Sequence, residues 1–153
     1  MRYISTLIAV RDLAASLRFY REALGMEVVQ DFGANVVLSG GVALQTLESW
    51  REFLGGKPVS LRSHTVELYF EEADMDGFLE RLKAMDISYV HPPLEHRWGQ
   101  RVVRFYDPDG HIVEVGEDMT QVVKRFAAQG MTEEQVARRM DVSLDYVREC
   151  MEG

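Results

Sequence analysis

The chain has 153 residues, with 17 Lys plus Arg against 25 Asp plus Glu and a formal net charge of −8. That balance excludes a general affinity for nucleic acid or anionic membrane, because phosphate binding is mostly neutralisation by Lys and Arg. The length suits one domain with a real core or two very small modules, and the single cysteine, Cys150, cannot close an internal disulfide, so a reducing compartment is expected.

The chain opens on "YISTLIAV", which reads as a strand over residues 3–10. It lacks a basic n-region, a long apolar h-region and a cleavage site, and no apolar run approaches membrane-spanning length, so a cytoplasmic location is expected. Asp12 caps a helix in which Leu13, Leu17, Tyr20 and Leu24 fall at helical spacing, and Gly25 ends it. Three short strands follow near 26–31, 35–39 and 42–48. A loop with Gly55, Gly56 and Pro58 comes next. Trp50 and Phe53, after the fourth strand, are placed to form a second wall or a dimer contact.

The order then repeats. Residues 64–71 read as a strand, Asp74 caps a helix with Met75, Phe78, Leu79 and Leu82 on one face, and strands follow near 87–90, 101–106 and 111–115. Asp12 and Asp74 are 62 residues apart, and so are Val10 and Glu72. Neither half can bury its sheet face alone, so two β-α-β-β-β modules, about 1–52 and 61–117, are expected to associate. The expected class is α+β: paired modules forming a curved mixed sheet around a cavity, with a helical extension over 118–153.

Within "RVVRFYDPDGHIVEVGE" (101–117) two strands flank turn chemistry at Asp107-Pro108-Asp109-Gly110. A turn at 107–110 pairs Val103 with Glu114 and turns Val113 and Val115 toward the helices. Glu114 interrupts an apolar run, and a buried carboxylate needs a partner. In the strand at 64–71, Glu67, Tyr69 and Glu71 share one face and the apolar Val66, Leu68 and Phe70 share the other. This alternation leaves Glu67 facing away from the helix.

"DLAASLRFYREALGMEVV" in the first module and "RVVRFYDPDGHIVEVGE" in the second resemble the vicinal oxygen chelate superfamily, which includes glyoxalase I, methylmalonyl-CoA epimerase, extradiol dioxygenases, and bleomycin and fosfomycin resistance proteins. The resemblance covers residues 1 to about 117. It implies a cavity to which each module supplies two ligands, from its first and last strands. The corresponding positions are Ser5, Gln45 and Glu114, with Glu67 or His64 as the fourth. The repeat and the strand alternation favour Glu67. The resemblance thus implies Gln45, Glu67 and Glu114 as metal ligands and Glu67 and Glu114 as proton-moving groups. Ser5, His96, Trp98 and Arg101 are candidate substrate contacts. Ser5 departs from the histidine usual at its position. A divalent metal (Mg, Mn, Ni or Zn) is the implied cofactor, and an oxygen-only ligand set suits hard cations best. The alternative is structural: Glu114 satisfied by Arg101 or Arg104, Glu67 solvated, and Trp98 sealing the loop "HPPLEHRWGQ" (91–100). His111 is expected to face away from Glu114.

In the extension, "MTEEQVARRMDVSLDYVREC" has a helix-turn-helix pattern. Thr132 and Ser143 cap its two helices, and Val136, Ala137, Met140, Tyr146 and Val147 point inward. From Glu117 to Gly153 there are eight acids and five bases. The second helix offers only Arg148 where a reader of bases would present Arg, Asn or Gln. A packing module that does not bind DNA is therefore expected, dispensable for any cavity activity, with Val122, Val123 and Phe126 offering apolar surface for a homodimer. Three functions follow: a metal-dependent isomerase, lyase or epimerase stabilising an enediolate; a non-catalytic small-molecule-binding protein of the drug-resistance type; and a ligand-sensing regulator. A small-molecule ligand is expected in each case.

Overall fold

The computed structural model describes residues 1–153. The chain is α+β, with two four-stranded mixed sheets and six helices. It divides into two units: residues 1–66 with the 106–111 turn, and residues 67–105 with 112–153.

In the first unit, β1 (Thr6–Val10), α1 (Leu13–Leu24), β2 (Val28–Asp31), β3 (Asn35–Leu38), β4 (Val42–Thr46) and α2 (Leu47–Phe53) follow in order. The sheet runs β1-β4-β3-β2, with β1 parallel to β4 and the other pairs antiparallel. Asp12 caps α1 by accepting from the Ala15 amide, and Gly25 ends it at φ 64. That left-handed cap is where a side chain would cost most. The core holds Val10, Tyr20, Val36, Leu38 and Leu44, all nearly fully buried. The expected fourth strand stops short at Thr46, and "LESWREF" becomes a helix. Thr46 and Ser49 hydroxyls bond at 2.6 Å and Ser49 donates to the Thr46 carbonyl, a local exchange that competes with continued strand pairing. Phe53 stands exposed at its end.

The 106–111 turn of this unit carries a buried polar network. Asp107 accepts from the Tyr20 hydroxyl (2.9 Å), the Asp109 and His111 amides, and His111 Nδ1 (2.8 Å). Asp109 accepts from the Arg11 amide. A carboxylate this buried is tolerable only with such a set of donors. Burial, with Asp107 alongside, pushes the Tyr20 phenol far above its ordinary value. His111 is structural, as expected.

The second unit repeats the plan: β5 (Glu67–Glu72), α3 (Met75–Lys83), β6 (Tyr89–Glu95), β7 (Arg101–Tyr106) and β8 (Ile112–Glu117), in sheet order β5-β8-β7-β6. Asp74 caps α3 by accepting from the Gly77 amide, as Asp12 does in the first unit. Phe78, Leu82, Val103, Phe105, Val113 and Val115 fill the core under α3. Strand β6 extends through Pro92 and Pro93, where a loop was expected. It is an edge strand, so the missing amides remove few ladder bonds, and the register shifts there.

α4 (Met119–Ala128), α5 (Glu133–Met140) and α6 (Leu144–Glu152) complete this unit. A capping box at Thr132 and Gln135 starts α5, Asp141 at φ 59 makes the turn, and Ser143 caps α6. Val122, Val123, Phe126, Val136, Met140, Val147 and Cys150 form one buried cluster. This corrects an expectation: Val122, Val123 and Phe126 are the core of the extension and offer no surface to a second copy.

Candidate functional site: a carboxylate pair bridged by Arg104

Strand β5 pairs in parallel with β8, setting Glu67 beside Ile112, Tyr69 beside Glu114 and Glu71 beside Gly116. Side chains alternate across a strand, so Glu67, Tyr69, Glu71 and Glu114 share the open face of the sheet. Leu68, Val113 and Val115 are buried on the other.

The hairpin fixes what lies opposite Glu114. The Asp107 amide donates to the His111 carbonyl, and the Gly110 amide to the Asp107 carbonyl. The loop is therefore three residues, 108–110, ending at Gly110 with φ 89. Counting back from the Asp107–His111 pair places Arg104 opposite Glu114 and Val103 opposite Val115. The expected pairing of Val103 with Glu114 is thus off by one residue, which exchanges a buried valine for an arginine on the open face.

Arg104 Nε donates to Glu67 at 3.0 Å, and its Nη2 contacts Glu114 Oε2. Glu114 is buried and Glu67 is exposed. Glu114 Oε2 is closed off from solvent and receives no well-directed hydrogen bond, so the guanidinium contact is its compensation. Burial pushes the Glu114 carboxyl above its ordinary value. Arg104 pulls it back and Glu67, by charge and hydrogen bond, pushes it further up. His91, opposite Arg104 on β6, faces the guanidinium at 3.3 Å. His96 stacks on Trp98 with ring centroids 4.2 Å apart. Burial, then electrostatic repulsion from the neighbouring Arg104 and His91, holds its imidazole below its ordinary value.

The remaining sequence candidates lie elsewhere. Arg101 is on the helix side of β7, spent on Glu117 (Nε 3.1 Å, Nη2 2.9 Å) and Asp76. It is a structural ion-pair partner, not a substrate contact of the open face. Trp98 donates to Gln100, which makes it part of the hairpin. Gln45, in the first unit, accepts from Asn35 (2.8 Å) and donates to Ser49 (2.5 Å), so both ends of its amide are engaged. Ser5 sits half-buried just before β1. His64 bonds the Tyr106 hydroxyl at 2.8 Å and is not on β5. Sequence reasoning missed His91 and Tyr69. The strand alternation that found Glu67 also holds Tyr69, whereas His91 was hidden behind the Pro-Pro pair.

A family model for a glyoxalase-like domain matches residues 3–120. The chain belongs to the glyoxalase-like family of the vicinal oxygen chelate superfamily. It is 38% identical to a protein of unknown function from Agrobacterium tumefaciens str. C58, over 77% of this chain and 94% of that one, with a TM-score of 0.70. It is 26% identical to a glyoxalase/bleomycin resistance protein/dioxygenase from Nocardioides, over 76% and 83%, with a TM-score of 0.62. It is 28% identical to a lactoylglutathione lyase from Agrobacterium tumefaciens, over 77% and 94%, with a TM-score of 0.60. Residues 121–153 lie outside the glyoxalase-like match.

Members of this glyoxalase-like family commonly use divalent metals, and the residues here do not fit one. No group of three or more His, Cys, Asp or Glu side chains is arranged to hold an ion. Glu67 and Glu114 on the open face are already bridged by the Arg104 guanidinium, a cation in the place a shared metal ion would take. No helix is long and apolar enough to cross a membrane.

Proposed function

We propose that this glyoxalase-like protein binds a small organic molecule on the open face of its second sheet without a metal ion. In this reading Glu114 is the group that exchanges a proton with the ligand, and Arg104 is the fixed cation. The observation that carries it is the bridge from Arg104 to both Glu67 and Glu114. A guanidinium is always charged and offers several donors in one plane, so it can hold two carboxylates and still present an N–H edge to a ligand oxygen. A buried carboxyl with a raised pKa keeps its proton closer to neutrality, which suits donation to a ligand and return. His91 and Tyr69 supply further polar contacts around it.

Metal-dependent lyase chemistry is the second reading, favoured by the likeness to the lactoylglutathione lyase. It requires Arg104 to leave the carboxylates. Calorimetric titration of tag-free protein with Mg²⁺, Mn²⁺, Ni²⁺ and Zn²⁺ separates the two. The wild type should give no stoichiometric binding, and Arg104→Met should gain weak cation binding at the freed carboxylates. Stoichiometric binding by the wild type, lost in Glu114→Gln, would overturn the metal-free reading. Ligands are then sought by thermal shift against a panel of small organic acids, amines and aromatic compounds in chelator. A hit should lose its shift in both Arg104→Met and Glu114→Gln.

A further inference from the structure

Helix α4 lies outside most of the glyoxalase-like match, yet it bears on the β6–β7 hairpin. Arg125 Nη2 donates to the Gly99 carbonyl at 2.5 Å. Gly99, at φ 96, has no room for a Cβ, because the Phe126 ring occupies that space. Glu117, 2% exposed, accepts from Arg125 Nε (3.2 Å) and Nη2 (3.0 Å) and from Arg101 Nε (3.1 Å) and Nη2 (2.9 Å). Burial alone would raise this carboxyl, but the two guanidinium groups hold it below its ordinary value. The result is an ionised carboxylate under the sheet, binding α4 to β7 and the hairpin tip.

The next residue, Gln100, reaches the open face. Its Nε2 donates to the Glu117 carbonyl and to the Tyr69 hydroxyl, both at 3.0 Å, and its Oε1 accepts from Trp98. Tyr69 in turn donates to Glu71 at 2.9 Å. Gly116 leaves the space this requires: a Cβ there would stand 2.8 Å from Gln100 Nε2 and 3.0 Å from the Tyr69 hydroxyl. Tyr69 therefore lies over Gly116, two residues along β8 from Glu114, with half its surface exposed.

We propose that α4 is a working part of the ligand face: through Arg125 and Glu117 it fixes the hairpin so that Gln100 holds Tyr69 beside Glu114. Gln100, Glu117 and Arg125 are then positioning residues, and Tyr69 is the side chain they present to a ligand. This rests on the open face being the ligand site, but the coupling itself is measurable without a ligand.

The readout is the Tyr69 Cζ signal in protein labelled with ¹³Cζ-tyrosine, assigned with Tyr69→Phe and followed through its titration. Burial raises this phenol, the Gln100 hydrogen bond lowers it, and Glu71 and Glu114 raise it. Gln100→Met should displace the signal and move the titration to higher pH. Arg125→Met should do the same, and the double variant should add nothing beyond Gln100→Met. Arg125→Lys, which retains the charge but not the paired contacts, is read in the same way should the Met variant not fold. Val36→Ala, a destabilised control in the first unit, should leave Tyr69 unchanged. A folded Arg125 variant with a wild-type Tyr69 signal and titration would overturn the proposal, whatever the ligand panel shows. A coupled Tyr69 response with no ligand found leaves the positioning intact and counts against the ligand reading alone.

Discussion

Glu117 and Glu114 sit three residues apart on one strand and have opposite electrostatics. Glu117 is held ionised by two arginines on the helix side. Glu114 is pushed toward its neutral form on the open face. Glu117→Gln should cost about 3 kcal/mol at neutral pH, since it leaves two half-buried guanidinium groups without their shared anion. The native carboxyl is depressed, so its contribution is present above the unfolded-state value and fades as pH falls through the folded one. The gap between wild type and variant in urea unfolding should therefore close in acid. Glu114 has the opposite sign: its contribution is present at low pH and is lost as pH rises through its raised value. Gly99→Ala should cost about 2 kcal/mol or more, because the added methyl overlaps the Phe126 ring at a backbone angle that favours glycine. A wild-type unfolding midpoint for that variant would show that Phe126 can move aside.

At the scale of elements, the extension is tied into the second unit, where the sequence suggests a dispensable appendage. Helices α5 and α6 cover the apolar face of α4, and Arg139 reaches Glu95 on β6. Removing residues 130–153 uncovers Val122, Val123 and Phe126. The truncated chain should aggregate or lose much of its stability, each buried valine being worth roughly 1.5 kcal/mol or more. A soluble truncated protein with wild-type thermal unfolding would contradict this. The extension has a helix, a left-handed turn at Asp141 and a second helix, with the caps at Thr132 and Ser143 in place. Its outward side chains on α6 include Asp145, Glu149 and Glu152, so the full chain should not be retained on duplex DNA at physiological salt.

For the whole molecule, exposed apolar side chains raise the question of self-association. Val28, Val29 and Phe32 at one sheet edge, and Val66 and Tyr69 on or beside β5, are solvent-facing. Unpaired edge strands with apolar side chains are a liability when left open. We expect a homodimer that covers part of this surface. Sedimentation at micromolar concentration is the check, with Val29→Lys and Phe32→Lys expected to shift the protein toward monomer. A wild-type monomer would contradict it.

What the sequence by itself determined is what depends on local chemistry and on periods. Asp12 and Asp74 announce equivalent helix caps, the spacing of 62 residues exposes the repeat, and two-residue alternation turns Glu67 away from α3. Thr132 and Ser143 mark the helix starts of the extension in the same way. Only the tertiary structure decided the partners. The hairpin loop has three residues because the Asp107 amide pairs with the His111 carbonyl, and that one-residue difference brings Arg104 to Glu114. Turn residues fix that a chain reverses, but the ladder hydrogen bonds fix the register. The same limit hid the use of Arg125. An arginine in a helical pattern does not reveal whether it meets solvent or a buried carboxylate eight residues back, because that depends on how α4 lies across the hairpin.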